Sequence, residues 1–164
     1  MSKEQVIEIK FDRDPDIRER GYKDDDPDEI KKQKIKYPFE IFNTVTLTVL
    51  TDYRKFSFDI YNGYYWNGAD IPQALWLIVG SRYNPEFREA SMIHDFMLQF
   101  KKYMIHEVLE DQITVSEYRR LTSLIFREKL KKQGVKEVKA NIMSWCVDVY
   151  QLCCNRKGWQ ANDT

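Results

Sequence analysis

Long apolar runs are missing from this 164-residue sequence. A bilayer-spanning helix needs about 20 consecutive apolar residues, and the longest run here, around Ala74 to Val79, falls well short of that. Membrane insertion is therefore not expected. The opening stretch, MSKEQVIEIKFDRD, is charged and lacks an apolar segment followed by a small-residue cleavage site. Secretion by a signal peptide is not expected either. Net charge is also missing, since 26 Lys and Arg balance 26 Asp and Glu. Nothing overall pulls the chain toward nucleic acid or an anionic membrane, and the basic runs Lys31–Lys36 and Lys129–Lys132 read as solvated faces. Cysteine is scarce: Cys146, Cys153 and Cys154 are an odd number in one segment, which excludes a disulfide framework. Cys146 and Cys153 lie seven apart, on one helical face with Ile142 and Val149, and read as small core residues. No His-Glu-x-x-His, phosphate-cradling glycine loop or Gly-x-Ser-x-Gly turn occurs.

What is present suits one folded unit. Hydrophobic residues make up 43% and aromatics 14%, enough for a single core over residues 1–164. Residues 12–36 are the exception, running from an Asp-rich stretch with Pro15 and Pro27 into Lys31–Lys36. So polar a segment reads as a charged loop or flexible arm. Its DRDPD and DDDPDE stretches lack the ligand spacing, central Gly and terminal Glu of a calcium loop.

Residues 5–11 read as a strand. Val45, Leu47 and Val49 alternate with threonines, and Phe56, Phe58 and Ile60 alternate with polar residues, so an antiparallel hairpin with one apolar face is expected. An aromatic loop, Tyr61 to Gly68, follows. Thereafter the periodicity is helical: Pro72 to Gly80, Asn84-Pro85 to about Lys102, Thr114 to Gly134 behind a capping box, and 136–157. The last helix carries Val138, Ile142, Trp145, Cys146, Val149 and Cys153 at helical spacing. Strands before helices argue an α+β fold, with an N-terminal hairpin or small sheet packed on a C-terminal layer of three to four helices.

Two histidines limit the chemistry on offer. His94 and Asp95 form a dipeptide inside a helix, His94 near the apolar face. An imidazole titrates near neutrality and suits a general base, while Asp95 could hold a cation. A buried, hydrogen-bonded histidine locking the helix to the Gly68 loop explains the same spacing. His106, among Glu107, Glu110 and Asp111, reads as part of a solvated turn.

The residues Gly68, Ala69, Ile71, Pro72 and Trp76, followed by Ala90, His94 and Asp95, carry a resemblance. Over residues 44–135 the chain resembles the domain-of-unknown-function family 1353. The resemblance implies a phage or prophage source, hence the host cytoplasm or a virion as location. It departs where Asn67 replaces the usual Asp, Asp70 the usual Ser, and Ser123 an expected acidic residue. His-Asp facing a glycine-containing loop is also similar in idea to phospholipase A2, whose His activates water and whose Asp joins loop carbonyls around calcium. Two expectations follow. The first is a bacteriophage-type accessory or virion-associated protein acting by contact with other phage or host proteins, with Gly68, Asp70, Tyr64 and Trp66 as binding residues and no cofactor. The alternative is a metal-dependent hydrolase with His94 as base and Asp95, with Asp70, holding a divalent cation. The oligomeric state stays open.

Overall fold

The computed structural model describes residues 4–68, 80 and 84–154, the side chains of 153 and 154 excepted. The expected hairpin is present. Val45, Leu47 and Val49 of β4 (Val45–Thr51) and Phe56, Phe58 and Ile60 of β5 (Lys55–Ile60) all point into the core. The two strands pair antiparallel, with Val45 opposite Ile60 and Val49 opposite Phe56. On the polar face Thr46 donates to Asp59 at 2.7 Å, and Thr48 and Ser57 are 2.8 Å apart. β1 (Val6–Phe11) adds to the free edge of β4, completing a sheet of order β1-β4-β5.

A second sheet was not expected from the sequence. β2 (Ile17–Glu19), β3 (Phe39–Ile41) and β6 (Tyr65–Trp66) form it in the order β2-β3-β6, all antiparallel. Residues 12–36 are therefore not simply a charged loop, since they hold β2 and α1 (Asp28–Lys36). No residue of α1 is buried. Charge pairing supplies what apolar burial cannot: Lys34 to Asp26 at 2.7 Å and Arg20 to Glu40 at 3.2 Å. Acidic residues in its first turn and lysines in its last also suit the helix dipole. The loop aromatics divide by strand alternation, so Trp66 is fully buried and Tyr65 faces outward.

The helices follow. Asn84 caps a 3-10 turn (Pro85–Phe87) by accepting from the Glu86 amide at 3.0 Å. α2 (Arg88–Gln99) runs on from it and is buried along most of its length. It stops short of Lys102: Phe100 leaves the helical region, and a short α3 (Lys101–Tyr103) and a π turn (Met104–Val108) come next. α4 (Val115–Lys132) and α5 (Glu137–Cys154) complete the layer. Gly134 ends α4 at φ +90°, a conformation that costs a side chain about 1 kcal/mol or more. The helix expected from Pro72 to Gly80 lies outside the described residues.

The capping box is formed. Thr114 accepts from the Glu117 amide at 3.3 Å, and the Glu117 carboxylate takes the Thr114 N–H at 2.9 Å. The backbone bond and then the hydroxyl bond from Thr114 hold the Glu117 carboxyl below its ordinary range. A depressed folded-state pKa gives stability that is present above the ordinary carboxylate range and is lost as pH falls through the lowered value. Thr114→Ala should cost about 1 kcal/mol in urea denaturation at neutral pH, and the difference should shrink in acid.

The face expected in the core on the last helix is met in part: Cys146 is buried, and the Cys153 side chain lies outside the described residues. On α5 the inward residues are Ala140, Met143, Cys146, Val147 and Gln151, while Val138 and Trp145 are exposed and Ile142 and Val149 only partly buried. The helix carries two apolar rows, and the one packed on α4 is the other.

Candidate functional site

The site starts from Trp66. Its ring packs between the β2-β3-β6 sheet and α2, 5.7 Å from Phe39 and stacked on Tyr64 at 5.9 Å. Its indole N–H donates to Ser91 on α2 at 3.1 Å, and Ser91 donates to the Arg88 carbonyl. This bond fixes where the chain leaves β6, and so where Asn67 and Gly68 arrive. Gly68 is buried and sits at φ +89°, a conformation glycine reaches without strain.

Asn67 then reaches α2. With its amide oriented to suit its neighbours, its nitrogen donates to Asp95 Oδ2 at 2.8 Å and to the Gly68 carbonyl at 3.1 Å. Asp95 is 5% exposed and His94 2%. Sequence neighbours diverge by about 100° round a helix, yet the carboxylate bends back to within 3.6 Å of His94 Nδ1. That is too long for a hydrogen bond but close enough for strong electrostatic coupling where water is excluded. On the other side of the ring, Gln151 of α5 lies 2.7 Å from His94 Nε2, and Phe126 of α4 packs 5.2 Å from the imidazole. The Gln151 carbonyl oxygen is buried without a partner among the described residues. With its amide N–H donating to Nε2, the ring proton sits on Nδ1, facing Asp95. Were the amide turned, its oxygen would accept from Nε2–H. Either way Gln151 caps Nε2.

Tyr64 closes the cluster. Its hydroxyl is buried without a partner among the described residues. Burial, and then the charge of Asp95, push its ionisation far above the ordinary phenol range, so it stays neutral. Beneath, the Tyr118 hydroxyl donates to the Met97 carbonyl at 2.7 Å and locks α4 to α2.

The expected residues thus divide. His94, Asp95, Gly68, Tyr64 and Trp66 come together in one buried region, and Asn67 joins them. Asp70 lies outside the described residues, so its pairing with Asp95 is a proposal only. Among the described residues no three His, Cys, Asp or Glu side chains gather as a metal set. His106 is apart and exposed, 2.5 Å from Asp111. Cys146 is a free, buried thiol whose burial pushes it away from the reactive thiolate.

Gln151 was missed by sequence reasoning, although it falls four residues after Val147 and eight after Met143, a polar side chain on a buried row. Asp148 was missed too. It stands 3.3 Å from the Ser123 hydroxyl and pairs with Arg119, so α5 supplies a carboxylate beside the position where α4 carries serine.

Residues 44–147 match the family model described as protein of unknown function, DUF1353. The uncharacterized protein y4jT of Sinorhizobium fredii (strain NBRC 101917 / NGR234) is 31% identical over 103 residues, which cover 58% of this chain and 26% of the relative. The chain thus spans about a quarter of that relative's length. No solved structure matches. No helix of the described residues is long and apolar enough to cross a membrane.

Proposed function

This chain belongs to the DUF1353 family of proteins of unknown function, and on that premise we propose that it works by contact with another protein. The buried polar cluster then acts as a structural hub that ties the β6 loop, α2 and α5 together and holds the contact surface in shape. One observation carries the reading. The outer face of the β2-β3-β6 sheet presents Tyr65 and Phe42 to solvent, and Tyr61 is exposed just after β5, with Arg18 over the Phe42 ring at 4.8 Å and Arg20 over Tyr65 at 4.4 Å. Arg18, Glu40 and Tyr65 are cross-strand neighbours in register. Exposed aromatics beside arginine are the composition of interface centres, where a few such side chains supply most of the affinity. Trp66 is a core residue, so contact at this loop falls to Tyr61 and Tyr65. A phage or prophage setting, as the family resemblance implies, would make the partner another phage protein or a host protein.

Combined replacement of Tyr61, Tyr65 and Phe42 by Ala should abolish co-purification of a bound partner while Tm moves by no more than about 3 °C. Undiminished capture by a folded variant would remove this face from the account.

Hydrolysis at His94 is the second reading, favoured by the closeness of the imidazole to Asp95. It requires Gln151 to leave Nε2, the atom that would take a proton from water. A calcium, magnesium or zinc titration with measurable heat, lost in Asp95→Asn, would support it.

A further inference from the structure

The outward row of α5 is Val138, Ile142, Trp145, Val149 and Leu152, spaced four, three, four, three. Val138 is 72% exposed, Trp145 64% and Leu152 47%. Ile142 and Val149 lie between them, partly buried. The spacing is that of a coiled-coil seam; Ile142 also packs on the core between α4 and α5, while Val138, Trp145 and Leu152 face outward. A solvated helix face ordinarily carries charge; this one carries none within the row.

We propose that α5 pairs with α5 of a second copy of this chain. The row reads almost the same in both directions from Trp145, with apolar residues seven before and seven after it. A two-fold axis across Trp145 therefore matches the row to itself with the helices antiparallel, Val138 toward the partner's Leu152. Tryptophan is the side chain most enriched at the centre of such contacts. The exposed parts of the five side chains amount to roughly 450 Å² per copy, about 900 Å² in total, which is the size of a weak, transient contact. The dimer is accordingly weak and concentration-dependent. It uses a different surface from the aromatic sheet face, so the two readings stand or fall separately.

Sedimentation of the full chain over a range from about 1 to 200 μM tests this. A reversible monomer–dimer equilibrium is expected within that range, weakened at least about tenfold by Trp145→Glu and likewise by Val138→Glu or Leu152→Glu. Ile7→Glu, at an exposed apolar position of β1, should leave it unchanged. All four side chains are exposed, and unaltered circular dichroism identifies the variants that remain folded; any one of the α5 variants suffices. A wild-type chain that stays monomeric throughout overturns the proposal, as does a dimer indifferent to charge at the α5 positions.

Discussion

Trp66→Ala should lower stability by about 3–5 kcal/mol, the largest effect expected of any single truncation in this domain. Trp66 is fully buried, packs on Phe39 and Tyr64, and holds Ser91 through its indole N–H. Truncation removes a large apolar area, opens a cavity between the β2-β3-β6 sheet and α2, and leaves the Ser91 hydroxyl short of a donor. Tyr65→Ala is the control, one residue away on the outer face, and should cost no more than about 1 kcal/mol. Urea denaturation of the pair measures both. Similar losses at 65 and 66 would mean that the alternation along β6 is not what divides core from surface.

The second large effect is charge-dependent. In Asn67→Asp, the residue the family resemblance leads one to expect at this position, a carboxyl group replaces the amide that donates to Asp95 at 2.8 Å. Two carboxylates at that distance, one buried and one partly buried, do not both ionise freely, so one retains a proton to a higher pH in the folded state than in the unfolded chain. A raised folded-state pKa contributes stability below the unfolded value and loses it as pH rises toward the folded one. The variant should therefore be nearly as stable as the parent near pH 4, and about 1–3 kcal/mol less stable at pH 7. A deficit independent of pH would show that residue 67 does not face Asp95. In this chain the Asn67 amide hydrogen-bonds Asp95 with no second carboxyl group beside it.

Much of the first sheet was legible because its strands are buried on one face, and the period-two pattern of Val45 to Ile60 states that directly. The capping box and Gly134 marked α4 for equally local reasons. The second sheet was not legible. Its strands are two or three residues long, too short to show a period, and they are defined by partners 20 or more residues away. α5 misled because it has two apolar rows, and periodicity alone does not say which one meets α4. At the site, His94 and Asp95 could be picked out as rare residues in an apolar setting. Gln151 could not, because its role depends on α5 crossing behind the imidazole, a tertiary fact absent from any local window.

The central claim is that His94 is sealed between Asp95 and Gln151 as a structural element. Chemical acylation of imidazole by diethyl pyrocarbonate, read residue by residue by mass spectrometry, tests it most directly, because the chain holds only two histidines. His106, exposed, should react readily while His94 stays unmodified in the folded protein and becomes reactive only on denaturation. Comparable rates at the two residues under native conditions would contradict the account and point to an imidazole open to substrate.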